Sequence, residues 1–315
     1  MQIVALDSKP IISEDIDISG LKKLGVLSLY PRTEPLLVKQ RLRGANIVLT
    51  NQVPISREAI LSTNALKLIC ILGNDLSIVD LHAAAEKAIP VCYIPDYASQ
   101  DIAQHTMALL LEMCSHVGYH NLRIHKGTWC ASQDYCWWEK SPISLLGKTA
   151  GIIGCGTVGK AVSRLFNAFG MHVLGYDIAS IAQFDGEMVS LDELLERSDV
   201  VSINCSVNIG TLSFFDQTKI NRMKQGAILI NTSSGKIVVE QDICRALEEG
   251  KLSGYATDTV SAEPISVHNP LLGAPNCILS AHCSCASIGA RQNLINMLTD
   301  TIASFISGNP KNLVF

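Results

Sequence analysis

No run of about eighteen apolar residues occurs in the 315-residue chain, so a membrane-spanning helix is not expected. None of the eleven cysteines forms a CxxC pair. Their odd number, in a chain without a secretory leader, argues against a disulfide framework, and most are expected as small buried apolar groups. Blocks of like charge are also missing. The net charge of −4 gives no basic field for nucleic acid. No long low-complexity tract is present. The first residues, Met1 to Asp7, lack the basic start and cleavage region of a signal peptide and read as a strand. The expectation is a soluble, cytoplasmic protein. Two groupings imitate a metal site: Cys283 and Cys285 beside His282, and His116, His120 and His125. A further correctly spaced ligand set is not evident for either, so no metal is expected.

What is present is an alternation of short apolar runs and amphipathic segments, over a length that fits two domains better than one. Strand-like segments are Ile3–Leu6, Val26–Tyr30, Ile47–Thr50, Leu68–Leu72 and Val91–Tyr93. Helix-like segments between them include Pro35–Arg43, Arg57–Thr63 and Leu81–Lys87. This order predicts an α/β sheet with parallel strands. Ala98 to Val117 reads as one long connecting helix. Asn121 to Leu146, which holds Trp129, Trp137 and Trp138, reads as a long arm or loop. Alternation resumes with strands at Ala150–Ile153, His172–Tyr176, Val200–Asn204, Ala227–Asn231, Ser253–Thr257 and Cys277–Ser280, before a final helix at Ala290–Ser307.

The most specific local pattern lies after Ala150–Ile153. It reads Gly154-Cys155-Gly156-Thr157-Val158-Gly159, followed by a helix from Val162 to Phe169, a second strand, and Asp177. Gly154 permits a tight turn, Gly156 lets backbone approach a pyrophosphate, and Gly159 lets helix pack on strand. The helix N-terminus offers N–H groups and a positive dipole end to phosphate. Asp177 suits an adenosine ribose diol, and its charge repels a 2′-phosphate. Ile178 and Ala179 follow, with no arginine to bind one. The order of strand, glycines, helix, strand and acid points to an NAD site. The expected fold is α/β with two Rossmann-like doubly wound parallel-sheet domains. The coenzyme domain, 99–289, is expected as an insertion in a substrate domain formed by 1–98 and 290–315.

Three later clusters fall at predicted strand ends, where an open α/β sheet places its ligand. They are Ile230 to Gly235, Thr257-Asp258 with Glu263 five residues on, and Ser280-Ala281-His282. A carbonyl that gains a hydride needs a proton on its oxygen, and an imidazole suits that role near neutral pH. A carboxylate beside it orients the ring and stabilises its charged form. His282 with Glu263 supplies both.

On these residues the chain resembles the D-isomer-specific 2-hydroxyacid dehydrogenase family, nearest its glycerate dehydrogenase/hydroxypyruvate reductase branch. Further matching stretches are Asn51 to Ile55, Ile94 to Tyr97, Ala103-Gln104-His105-Thr106, Gly127-Thr128-Trp129, Asp134 to Trp138, and Asn269 to Leu272 before Ala274-Pro275-Asn276. The resemblance implies a homodimer, a small-molecule substrate, the His282–Glu263 pair, and a cofactor contact by Asp258 near the nicotinamide. With the glycine turn, the cofactor set then also takes in Cys205, Ser206, Thr232, Ser233 and His282. The substrate loop falls on Gly73, Asn74, Asp75 and Leu76.

Departures from the family pattern bear on the substrate. Ser234 stands where the family has the arginine that binds the substrate carboxylate, and Lys236, two residues on, is no substitute for a two-pronged guanidinium. Ser234 keeps only a hydroxyl for the carbonyl. Asp75 stands where a glycine is usual, and Asn204 and Ser206 replace the usual His and Pro. Losing an Arg and gaining an Asp changes the formal charge by about two units. At roughly 4 Å and an effective dielectric near 20, each is worth on the order of 4 kcal/mol. The reading favoured is an alcohol–carbonyl oxidoreductase with a neutral or cationic substrate. Ordinary reduction of 2-keto acids, or a non-catalytic NAD(H) sensor or scaffold, are the alternatives.

Overall fold

The structure, a computed structural model, describes residues 1–73 and 75–314. The chain divides into two compact units, Met1–Ala98 with Cys285–Phe315, and Ser99–Ser284. In chain order the first unit contains β1 (Gln2–Ala5), α1 (Ser19–Leu24), β2 (Val26–Leu29), α2 (Val38–Leu42), β3 (Ile47–Thr50), α3 (Arg57–Leu61), β4 (Leu68–Ile71), α4 (Leu81–Glu86) and β5 (Val91–Tyr93). Its five strands are all parallel, in the order β2-β1-β3-β4-β5. Every residue of β3 and β4 is buried, as expected of a parallel sheet covered on both faces. The two faces divide with period two: Val4, Val48 and Ile69 enter one core, while Ile3, Ile47 and Leu68 enter the other.

The second unit opens with α5 (Ser99–Ser115) and α6 (Val117–His125). There follow β6 (Thr149–Ile153), α7 (Thr157–Ala168), β7 (His172–Tyr176), β8 (Glu187–Met188), α8 (Leu191–Arg197), β9 (Val200–Ile203), α9 (Gln217–Arg222), β10 (Ala227–Asn231), α10 (Glu240–Glu248), β11 (Leu252–Thr257) and β12 (Cys277–Leu279). The final helix, α11 (Ile288–Ile306), belongs to the first unit, where Leu294, Ile295, Leu298 and Ile302 pack into the core with Ile3 and Ile47. The seven strands of the second unit run parallel in the order β12-β11-β10-β9-β6-β7-β8. The chain winds outward in both directions from β6, which makes the β6/β9 boundary a topological switch point. In the first sheet the same reversal falls between β1 and β3.

Three expectations need correction. The segment from Ala98 to Val117 is not one helix, because His116 adopts a left-handed backbone (φ 53°) and breaks α5 from α6. Glu112, in the last turn of α5, accepts the Gly118 N–H at 3.1 and 3.0 Å and satisfies the start of α6. An acid that caps the next helix carries no start signal of its own in sequence, so Asn121 to His125 read as arm when they are helical. The cysteines are all free, but only five of them, at 70, 92, 114, 155 and 244, are buried. The others sit at strand ends or in surface segments where they meet solvent. Among the described residues no helix is long and apolar enough to cross a membrane.

Candidate functional site

The glycine turn joins β6 to α7 at the switch point. Gly154 has φ +91°, and a Cβ there would lie 2.5 Å from the Cys205 nitrogen, so the turn tolerates no side chain. At Gly159 a Cβ would lie 2.1 Å from the Gly154 carbonyl oxygen, which explains the close seating of α7 on the turn. Gly156 differs: a Cβ there would meet nothing within 4 Å, and the residue is exposed. Backbone is therefore open to an approaching anion at the N-terminus of α7, beside exposed Thr157 and half-buried Val158. Across the turn, Asp177 Oδ2 accepts the Cys155 N–H at 2.8 Å and Oδ1 accepts the Ala179 N–H at 2.9 Å. The carboxylate is fixed in direction and keeps lone pairs for a ribose diol. Ile178 beside it is 90 % exposed. These residues fit NAD: an open backbone cradle for pyrophosphate, with an acid placed for the ribose.

The loops after the next strands converge on one polar cluster. Asn231, at the end of β10, accepts the Ser233 N–H at 3.0 Å and donates to the Ser234 carbonyl at 2.9 Å, which shapes the loop. Ser233 Oγ donates to the Cys205 carbonyl, tying this loop to the one after β9, where Ser206 is exposed. Thr232 Oγ1 pairs with Thr106 Oγ1 of α5 at 2.8 Å. Ser234 is half-buried, and its Oγ accepts the Lys236 N–H at 3.4 Å. No described hydrogen bond uses its O–H, which remains a donor.

His282 and Glu263 meet: Nδ1 and Oε2 are 2.6 Å apart, with both side chains partly open to solvent. The Glu263 hydrogen bond, with the charges of Glu263 and Asp258, raises the His282 pKa above 6.5 against the opposing effect of burial. With Nδ1 directed at the carboxylate, Nε2 is the ring position left for chemistry. The backbone of His282 is left-handed, φ 50°, which is costly for a residue with a Cβ.

Asp258 holds that backbone in place. The carbonyl of Asp258 accepts the His282 N–H at 2.8 Å. Its Oδ1 accepts the Cys283 N–H at 3.0 Å and Ser280 Oγ–H at 2.6 Å, and its Oδ2 accepts the Ser284 N–H at 2.9 Å. His105 Nε2 lies 2.8 Å from Ser280 Oγ and 3.5 Å from Asp258 Oδ1. Burial alone would raise the Asp258 carboxyl, but the donors His105, Ser280, Cys283 and Ser284 outweigh it and hold it well below the usual carboxylate range. The side chain is closed to solvent, and both of its oxygens face the loop's own donors.

Donor atoms of His105, Asp258 and Cys283 lie within 4.8 Å of one another, which is compact enough to suggest a cation. The Ser280 hydroxyl already bridges two of them, and hydrogen bonds account for the cluster without one. Sequence reasoning used Asp258 and Ser280 but gave His105 no role. The only signal was its place in the matching stretch Ala103 to Thr106.

In the first unit, Asp75 accepts the Ser77 N–H at 3.0 Å and Ser77 Oγ–H at 2.5 Å, capping the short turn Leu76–Ile78. Gly73 lies in a bend with φ +159°, and Asn74 lies outside the described residues.

Residues 107–284, more than half the chain, match the model of the D-isomer specific 2-hydroxyacid dehydrogenase, NAD binding domain. A hydroxypyruvate reductase of Blautia hydrogenotrophica is 39 % identical over 320 aligned residues, covering 100 % of this chain and 99 % of that protein. A glycerate dehydrogenase of Methylorubrum extorquens is 32 % identical over 282 residues, covering 89 % of this chain and 88 % of that protein. Among solved structures, D-lactate dehydrogenase from Aquifex aeolicus, complexed with NAD and lactic acid, superposes with a TM-score of 0.85 at 26 % identity, covering 100 % of this chain and 99 % of that one. With the doubly wound parallel sheet, the family match and these relatives place the chain among nicotinamide-dependent oxidoreductases. The chain belongs to the D-isomer-specific 2-hydroxyacid dehydrogenase family and is an NAD-dependent dehydrogenase/reductase acting on CH–OH groups.

Proposed function

We propose that His282 moves the proton of the reaction and that Glu263 orients it. The observation that carries this reading is the 2.6 Å contact between Nδ1 and Glu263 Oε2, which aims Nε2 away from the carboxylate. In the reductive direction, His282 as imidazolium donates its Nε2 proton to the carbonyl oxygen; in the oxidative direction, the neutral ring removes it from the alcohol. Glu263 favours the charged form and fixes the ring. NAD, when bound, supplies the hydride donor or acceptor. Gly154, Gly156 and Gly159, the amides of Thr157 and Val158, and Asp177 hold it in this reading, with Cys205, Ser206, Thr232 and Ser233 lining its inner end. Ser234 donates a hydrogen bond to the substrate oxygen.

We infer that the substrate is neutral or cationic where the family's is anionic, because Ser234 offers a hydroxyl and no charge. Asp75 adds a carboxylate on the segment that the resemblance assigns to substrate. A second reading, ordinary reduction of a 2-keto acid, is favoured by the full-length similarity to a hydroxypyruvate reductase. Turnover of NADH with hydroxypyruvate, compared with neutral and amino-bearing carbonyl compounds, separates the two. The first reading expects hydroxypyruvate to be poor and Ser234→Arg to improve its kcat/KM. Efficient reduction by the unaltered protein establishes the second. We also propose a homodimer, supported by exposed Trp129, Tyr135 and Trp138 on the arm, and a reducing, cytoplasmic setting, in keeping with eleven free thiols.

A further inference from the structure

His105 lies near the start of α5, and its ring reaches the loop that carries His282. Ser280 has one hydroxyl proton. Its shortest contact is to Asp258 Oδ1, 2.6 Å, where the acceptor is ionised, and a proton placed there makes a charge-assisted bond. Ser280 Oγ must then accept at its other short contact, so His105 Nε2 carries a proton and donates it across 2.8 Å. The network thus has one direction: His105 Nε2–H to Ser280, Ser280 O–H to Asp258. The same carboxylate receives the Cys283 and Ser284 amides, and the Asp258 carbonyl receives that of His282. Three consecutive amides of the loop therefore end on one residue, at the place where His282 holds its left-handed backbone. Such a conformation persists only where its surroundings over-determine it. The neighbouring residue, Thr106, is fully buried and pairs with Thr232 beyond β10, so this turn of α5 is registered on the strand ends by two bonds.

We propose that His105 is a positioning residue for proton transfer, which through Ser280 and Asp258 fixes the backbone of the His282 loop and so the aim of the His282 ring. It touches neither Glu263 nor His282 in any described hydrogen bond, and acts only through the Asp258 anchor. The inference rests on the reading that His282 moves the proton, and the test keeps the two apart. The donor, not the ring, is what matters: glutamine can present an N–H in its place and leucine cannot.

The experiment measures kcat, KM, NADH affinity and thermal stability for His105→Leu, His105→Gln, His282→Ala and His105→Leu/His282→Ala, on the whole chain with the best substrate found in the carbonyl screen. His105→Leu is expected to lower kcat about tenfold or more with NADH affinity changed far less, and His105→Gln to restore most of it. In the His282→Ala background the His105→Leu change is expected to have little further effect, because residues acting as a unit are not additive. Wild-type turnover in His282→Ala overturns the reading of His282 itself. A sound His282 result with unchanged kcat in His105→Leu overturns the positioning role alone. So does a loss in His105→Leu that tracks thermal stability and is not rescued by glutamine, or one that persists in full without His282. Should His105→Leu fail to fold, His105→Gln against His105→Asn carries the test, since the shorter amide falls short of Ser280; equal kcat in that pair overturns the proposal.

Discussion

The two parallel sheets each have a switch point, and the chain treats them differently. In the first sheet, Asp7 follows β1 and faces the loop after β3. Its carboxylate accepts the N–H groups of Asn51 at 2.9 Å, Gln52 at 2.6 Å and Val53 at 3.1 Å. The protein has supplied its own anion to the amides that converge there. In the second sheet the equivalent place, between β6 and β9, holds glycines; Asp177 takes the Cys155 amide there, but Gly156 leaves backbone uncovered. Winding order sets where amides converge. Residue identity decides whether a side chain or a ligand satisfies them. A third convergence, at Asp258, uses the self-supplied anion again, but on a loop that carries His282 and with His105 and Ser280 as added donors.

The largest expected effect comes from removing His282, the group proposed to move the proton at the third convergence. His282→Ala should lower turnover by about 10²-fold or more, with NADH affinity nearly unchanged, as measured by steady-state kinetics and fluorescence titration. Wild-type turnover would remove the distinction between the Asp7 and Asp258 anchors. A direct comparison of the two comes next. Asp7→Asn and Asp258→Asn each replace a buried acceptor of charge-assisted hydrogen bonds, and each should cost on the order of 2–3 kcal/mol in denaturant unfolding. Only Asp258→Asn should also lower kcat by about tenfold. Equal kcat losses in both would mean that the anchors differ in nothing but position.

At the open switch point, Asp177→Ala should narrow the preference for NAD(H) over NADP(H), by weakening ribose contacts and removing repulsion of a 2′-phosphate. Affinity ratios from cofactor titration measure this, and an unchanged ratio would move the discrimination elsewhere. The smallest effect is a shift rather than a loss. Because Glu263 raises the His282 pKa above 6.5, the imidazolium that the proposed proton transfer uses in carbonyl reduction persists above that pH and is lost as pH rises through the raised value. Glu263→Gln should move that limb of the pH profile downward, and a limb that stays put would assign it to another group.

Local pattern made much of this visible. The apolar runs of β3, β5, β7 and β10 fall where the sequence put them, because a covered parallel strand needs a continuous apolar segment whatever its neighbours. Gly154 to Gly159 was legible because a tight turn against a helix end demands glycine at fixed spacing. Glu263 and His282 could be paired in advance because both follow strand ends. The break at His116 was not legible, since the group that stabilises it, Glu112, reads as an ordinary helical acid.

The sequence by itself determined the parallel α/β architecture, the glycine turn with its acid, and the meeting of His282 with Glu263, all of which depend on short-range spacing. Only the tertiary structure decided which carboxylates serve as anchors. Asp7 meets its amides 44 to 46 residues away, and His105 meets Ser280 across 175 residues. A hydrogen-bond partner at such separation leaves no periodic trace in the chain. It exists only when winding order brings the ends of particular strands together.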